Sequence, residues 1–479
     1  MNPDLPSVPC PLHAAALTSP ETPAVLGATG AISYAELDRR VSVAAYRLGE
    51  LGLGAGRRTA LYLPKDESYL VLLLALVRAG GVACPLSTRI PPESIVPLLR
   101  RAACSALVSD DERAIEVAES VRKLEPETLV ESMQDSSRLP ETRKIPLDRP
   151  STIVFTSGST GVPKAALHTF GNHYYSALGS NANIALSRGD RWLHSLPLYH
   201  VGGLSILFRC LLAGATVALP QPGRSPGDAI AALGATHVSL VPTQLLRLLR
   251  EDAALDGVRA ILLGGGPIPA YLVDEALARG LPIHTSYGLT EMASQVTTTP
   301  QGAAPEELST AGRVLPHRGV IVSGRGEILV RGETLFAGYV EGEVVDRPLD
   351  ACGWFHTGDL GDLDEGGYLR VRGREDNTFF SGGENVQPEE IEEALCRIEG
   401  VEEAVVVPVE DEEFGQRPVA FVRVAGGTPE PEALSRALGA SLARFKIPVS
   451  FHAWPDDARG MKVDRTAFGE RARRLGREG

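Results

Sequence analysis

The chain has 479 residues, too many for one ordinary domain, and 43% of them are hydrophobic, enough for a large buried core. Its 47 basic and 60 acidic residues leave a net charge of −13 without any basic block. That argues against a nucleic-acid partner, and any polyanionic ligand must be held by local donors against the global field. Six scattered cysteines without metal-like spacing read as reduced thiols of a cytoplasmic protein. The N-terminus lacks the basic-then-apolar pattern of a signal peptide. The longest apolar run, residues 69–77, is far short of the roughly 20 residues a membrane span needs.

Along the chain, Ser33 and Glu36 have capping-box spacing, flanked by Ile32 and Leu37, and predict a helix to about residue 51. A strand (59–63), a helix (68–79) ended by Gly80-Gly81, a short strand near Val82, a helix after Pro91-Pro92 and a strand (106–109) follow. This alternation predicts an α/β fold with mostly parallel, helix-covered sheets. Residues 131–149 read as a polar surface connection. The alternation resumes over 150–300 with more glycine: 236–241 is strand-like, and Thr243 is expected to cap a helix carrying Leu245, Leu248 and Leu249. Short strands with glycine turns predict a small β-rich subdomain at about 305–372. Beyond it, Pro388 opens a helix with Glu389 and Glu390 in its first turn, followed by strands at 404–409 and 419–424. The expected division is an N-terminal core of residues 1–374 and a compact α/β C-terminal lid of residues 375–479.

The strongest local signal is TSGSTGVPK at 156–164, directly after the apolar segment 153–155. Glycines let a backbone approach a phosphate, amides and hydroxyls donate to it, and a lysine adds mobile positive charge. This is not a Walker A loop, because Pro163 precedes Lys164 and Ala165 follows it. Six further segments come after it in order: LPLYHVGG (196–203), GGGPIP (264–269), YGLTE (287–291), TGDL (357–360), GRED (373–376) and GGENVQPEEIE (382–392). The ordered set resembles the acyl-adenylate-forming superfamily of acyl-CoA synthetases, peptide-synthetase adenylation domains and luciferases, over roughly residues 30–470.

The resemblance implies activation of a carboxylic acid by ATP and Mg²⁺ as an acyl-adenylate, then transfer to coenzyme A. It assigns Thr156, Ser157, Gly158, Ser159, Thr160, Gly161 and Lys164 to the β- and γ-phosphates, and Gly264, Gly265 and Gly266 to the adenine side. Tyr287 would stack on adenine, Thr290 contact the α-phosphate and Glu291 hold Mg²⁺. Asp359 would accept the ribose hydroxyls with Arg374 nearby, and Asp376 falls on the hinge of the moving lid. His200 resembles the gate of the pantetheine tunnel, which Gly382 and Gly383 would border. The catalytic lid lysine matches Lys462, although Met461 separates it from Gly460; Lys446 is its competitor.

Three stretches, 196–214, 239–249 and 286–296, look most like the o-succinylbenzoate–CoA ligases of menaquinone biosynthesis. Arg209 supports this independently. It sits in an apolar run (204–212), where a desolvated guanidinium wants an anion, and o-succinylbenzoate carries a second carboxylate. The competing reading of Arg209 is that it snorkels to solvent or pairs with a protein carboxylate. Ser239 and Gln295 are weaker candidates for substrate contacts. Two alternatives stay open on the sequence: an aryl- or medium-chain acyl-CoA ligase of other specificity, and a non-catalytic adenylate binder. The expected partner is thus a small carboxylic acid, and association into a homo-oligomer is left open.

Overall fold

The computed structural model describes residues 6–117, 121–131, 144–156, 163–425, 427–455 and 464–478. Helix Tyr34–Glu50 begins as expected at Ser33, whose hydroxyl accepts the Glu36 N–H at 3.3 Å. The reciprocal half of the capping box is absent. The Glu36 carboxylate turns forward to Arg39 (2.8 Å) and Arg40 (2.6 Å), pairings one turn along the helix. Helix Glu67–Ala79 is capped by Asp66, which accepts the Tyr69 N–H at 2.9 Å. It is apolar on every side because it runs through the core, and it stops at left-handed Gly80 (φ 83°). The one charge buried on it, Arg78, meets Asp38 at 2.5 Å.

Two large sheets dominate. The eight-stranded one runs, edge to edge, Val344–Asp346, Gly338–Glu341, Lys164–Thr169, Pro150–Thr156, Val82–Pro85, Arg58–Tyr62, Ala106–Ser109 and Arg122–Leu124. From Pro150–Thr156 onward the strands are parallel. The nine-stranded one runs Arg313–Val314, Ser294–Thr298, Ile283–Leu289, Ala260–Leu263, His237–Leu240, Arg191–Leu193, Thr216–Ala218, Pro23–Gly27 and Gly30–Ser33, with its six inner strands parallel. A single apolar cluster joins strand residues of both sheets through helices Tyr34–Glu50, Glu67–Ala79 and Val201–Ala213. Within it the buried Tyr34 hydroxyl donates to the Ala215 carbonyl at 2.6 Å.

The strands of the 305–372 region distribute over three sheets. Arg318–Val322, Glu327–Gly332, Phe355–Leu363 and Leu369–Arg374 form a small antiparallel sheet, while the others extend the edges of the two large ones. Besides a two-stranded sheet of Ser7–Pro9 and Lys144–Pro146, a fifth sheet holds Glu384–Val386, Phe379–Ser381, Gly415–Val424 and Val401–Asp411, with Ser450–Ala453 added beside Gly415–Val424. Helix Pro388–Cys396 packs on it. Arg465, at the start of helix Arg465–Glu478, is tied to Glu392 (2.7 Å), Glu389 (3.1 Å) and the Val406 carbonyl (2.8 Å). The helix expected to be capped by Thr243 begins at Pro242 instead. Its cap residue is Val241, whose N–H donates to Gln244 Oε1 at 3.0 Å. Among the described residues no helix is long and apolar enough to cross a membrane.

Candidate active site

Thr156 ends one strand and Lys164 begins the next, and the two are partners in an antiparallel ladder. In sequence the glycine-rich segment falls between these two paired residues. Ser157, Gly158, Ser159, Thr160 and Gly161, like Lys462, lie outside the described residues. Lys164 Nζ stands 5.0 Å from the centre of the Tyr339 ring, and the Tyr339 hydroxyl donates to Glu291 Oε1 at 2.5 Å. Thr290 and Glu291 form a short 3-10 turn, Thr290–Met292. Its carbonyls are held from outside: His168 Nε2 donates to Thr290 O at 2.7 Å, and the Phe336 N–H donates to Glu291 O at 2.8 Å. Lys164, Thr290 and Glu291 thus converge, as their motifs imply. Tyr339 and His168 complete the cluster, and no motif marked either.

A second group surrounds Asp359. Tyr287 donates its hydroxyl to Asp359 Oδ2 at 2.5 Å, and Arg374 Nη1 donates to Asp359 Oδ1 at 3.1 Å. Arg374 Nη2 continues to Asp376 at 3.0 Å. Asp359 and Arg374 face one another across adjacent strands, so the ladder itself sets their pairing. Burial first, and then the Asp359 carboxylate, raise the Tyr287 phenol well above its ordinary pKa, so it remains a protonated donor. Beside Tyr287, Gly264 allows a close approach: a Cβ there would fall 2.7 Å from the Ser286 hydroxyl. Gly265 adopts φ 85°, a conformation that favours glycine, and Gly266 faces open space.

The third group centres on Arg209, in helix Val201–Ala213 and only 1% exposed. Among the described residues neither competing reading of it holds. It does not reach solvent, and no described carboxylate lies within ion-pair distance of it. Its Nη2 donates to Gln295 Oε1 at 2.7 Å and Ser294 Oγ at 3.3 Å, and its guanidinium stands 5.0 Å from the centre of a Trp192 ring. Trp192 Nε1 in turn donates to Ser239 Oγ at 3.1 Å. All three residues proposed from sequence for the acid are therefore in one network. Burial pushes Arg209 down to about 9, still charged at neutral pH but short of a counter-charge. A second guanidinium, unmarked by any motif, joins it: Arg318 Nε donates to the Gln295 carbonyl at 2.6 Å, and burial followed by the charge of Arg209 pushes it down to about 9 as well.

His200 is the cap residue of the Arg209 helix, its ring edge-on to Tyr199 at 4.7 Å. Gly382 and Gly383 make the left-handed turn (φ 60° and 86°) between Phe379–Ser381 and Glu384–Val386, in the separate fifth sheet. A Cβ on Gly382 would meet Phe414 Cδ1 at 2.9 Å. Lys446, the competitor of Lys462, is engaged by both Glu390 oxygens at 2.7 and 2.6 Å.

Residues 12–340 match the AMP-binding enzyme family, and residues 390–459 match the C-terminal domain of AMP-binding enzymes. This chain belongs to the AMP-binding enzyme family. It is 34% identical over 434 residues to a 2-succinylbenzoate–CoA ligase of Bacillus cereus, covering 87% of this chain and 88% of the relative. A 2-succinylbenzoate–CoA ligase of Geobacillus sp. is 33% identical over 462 residues, 92% of either chain. The fold is similar to o-succinylbenzoate CoA synthetase of Bacillus subtilis in complex with its acyl-adenylate intermediate, with a TM-score of 0.88 and 30% identity over 97% of this chain and 98% of that one. The same synthetase in complex with ATP and a magnesium ion gives a TM-score of 0.85 at 30% identity, covering 96% and 99%. In this AMP-binding enzyme no group of three or more described His, Cys, Asp or Glu side chains could enclose a metal. A lone carboxylate such as Glu291 suits Mg²⁺ instead, which takes one or two protein oxygens and fills its octahedron with phosphates and water.

Proposed function

We propose that this AMP-binding enzyme is an ATP-dependent 2-succinylbenzoate–CoA ligase. The observation that carries the choice of acid is Arg209, a guanidinium buried with neutral partners inside the fold. A fatty-acid pocket has no use for such a charge. An acid with a second carboxylate supplies the missing anion.

In the first step, an oxygen of the acid's aliphatic carboxylate attacks the α-phosphorus of ATP. The bond to the leaving pyrophosphate breaks, giving the acyl-adenylate. An anion attacks an anion, so fixed positive charge and donors govern the barrier. Thr156, Ser157, Gly158, Ser159, Thr160, Gly161 and Lys164 hold the β- and γ-phosphates, Thr290 the α-phosphate, and Lys462 adds charge from the lid. Bound Mg²⁺ would neutralise phosphate charge, held by Glu291 with Tyr339 orienting the carboxylate. Gly264, Gly265 and Gly266 leave room for adenine, against which Tyr287 packs. Asp359, oriented by Tyr287 and Arg374, accepts the ribose hydroxyls. Arg209 binds the aromatic carboxylate, with Gln295 and Ser239 as polar neighbours.

In the second step the coenzyme A sulfur, its proton lost to solvent, attacks the acyl carbonyl. The bond to AMP breaks and the thioester forms. The C-terminal lid, residues 375–479, turns about Asp376 against the core of residues 1–374, removing Lys462 and bringing Gly382 and Gly383 to the thiol arm near His200. ATP–pyrophosphate exchange tests the proposal: it is expected with o-succinylbenzoate. Exchange that responds to benzoate or medium-chain acids but not to o-succinylbenzoate overturns it.

A further inference from the structure

The turn Thr290–Met292 is closed by a bond of its own, from the Ala293 N–H to Thr290 O at 3.0 Å, but it is short. It is three residues long and runs into Ala293 (φ 53°) and Ser294 (φ 123°), non-glycine residues in the region that L side chains avoid. One such bond holds a short turn in that backbone conformation only weakly, so its surroundings contribute to its position. Three outside donors do so: His168 Nε2 to Thr290 O (2.7 Å), Phe336 N–H to Glu291 O (2.8 Å) and Ser176 Oγ to Ala293 O (2.9 Å). Two belong to the scaffold at large. His168 differs, because it stands on strand Lys164–Thr169, the strand that Lys164 begins.

Side chains at alternate strand positions share a face, so Lys164, Ala166 and His168 point the same way. At one end of this row Lys164 sits over the Tyr339 ring, whose hydroxyl reaches Glu291. At the other, His168 grips the carbonyl of Thr290. Between them Ala166 is fully buried against Met292 and Phe336, small enough to let the turn lie down on the strand. Because a carbonyl only accepts, His168 must carry its proton on Nε2. Burial pushes its pKa down to about 4, so the ring remains a neutral donor at working pH.

We infer that His168 is a positioning residue for adenylate formation: it sets the distance between the lysine at the end of the phosphate segment and the Thr290–Glu291 turn. Attack on the α-phosphorus needs both ends of ATP's triphosphate held in one geometry, whereas thiolation of a finished adenylate no longer uses the β- and γ-phosphate end. Loss of the His168 bond therefore weakens the first half-reaction and spares the second. This inference rests on the proposed reaction but not on the identity of the acid.

The test compares His168→Leu and His168→Gln with wild type in pyrophosphate exchange and in thioester formation from preformed acyl-adenylate and coenzyme A. The acid is whichever one the wild type exchanges. Exchange by His168→Leu is expected to fall roughly 100-fold, as for a misplacement of the order of 1 Å, at a KM for the acid close to wild type. Thiolation of the preformed adenylate should stay within about threefold. His168→Gln, whose amide nitrogen can reach the Nε2 position, should recover most of the exchange. The inference is overturned if His168→Leu slows both half-reactions alike or neither, or if His168→Gln is no better. Wild-type exchange with another acid but not with o-succinylbenzoate overturns only the choice of substrate. Exchange with no acid overturns both readings.

Discussion

Replacing Arg209 by Met should make the protein a poorer enzyme without making it a less stable one. For stability, the substitution removes charge-assisted donation to Gln295 at 2.7 Å, worth about 1.5–3 kcal/mol, and a contact with Trp192 worth about 0.5–2 kcal/mol. Against this, it abolishes the desolvation of an ion that lacks a carboxylate among the described residues, a relief of several kcal/mol. The terms nearly cancel, and urea unfolding should change by less than about 2 kcal/mol in either direction. For catalysis, the aromatic carboxylate of the substrate is left buried without its cation, which costs about 3–5 kcal/mol, or roughly two to four orders of magnitude in kcat/KM. The control is 3-benzoylpropionate, which is o-succinylbenzoate without the aromatic carboxylate. Wild type should use it poorly, and Arg209→Met should handle it within about fivefold of wild type. Two results would contradict a substrate-binding role for Arg209: an equal loss on both acids, or a stability loss above about 3 kcal/mol with catalysis intact.

Other perturbations have definite outcomes. Tyr339→Phe removes the donor that orients Glu291, and should raise the KM for Mg·ATP roughly 10- to 100-fold in initial-rate kinetics, with the KM for the acid little changed. Arg78→Met strands the Asp38 carboxylate, which among the described residues keeps only His13 at 2.9 Å, and should cost about 3 kcal/mol in denaturant unfolding. Lys65 donates to the His194 carbonyl at 2.5 Å, and burial lowers its pKa from 10.5 to about 8. Between those values the unfolded chain binds a proton that the folded chain has released, so the folded state gains stability as pH rises. The stability of wild type relative to Lys65→Met should accordingly grow between about pH 8 and pH 10, by up to about 3 kcal/mol.

Contiguous features were legible in the sequence, and features made by strand pairing were not. Lys164, the 287–291 motif, Asp359 and Arg374 could each be marked because each lies in a short written pattern, although strand pairing is what brings Asp359 and Arg374 together. Arg209 could be read because a lone charge in an apolar helix has few uses. Tyr339, His168 and Arg318 carry no such pattern. Tyr339 reaches its place because Gly338–Glu341 pairs with Lys164–Thr169, a contact between distant segments. Short-range signals also had competitors. Glu36 has two arginines one turn ahead, and these outbid the backbone of its own cap. Gln244 rather than Thr243 closes its helix, because a long amide can reach back to the Val241 N–H. The strands of 305–372 look alike in sequence, and only their edge partners decide which of three sheets each joins.

Thioester formation across a panel of acids shows most directly which acid the enzyme activates. Purified protein with ATP, Mg²⁺ and coenzyme A is given o-succinylbenzoate, benzoate or a medium-chain acid, and the products are identified by mass. The dominant products are expected to be o-succinylbenzoyl-CoA and AMP, with a kcat/KM well above that for the monocarboxylates. A thioester formed efficiently from benzoate or a medium-chain acid, with none from o-succinylbenzoate, would contradict that expectation.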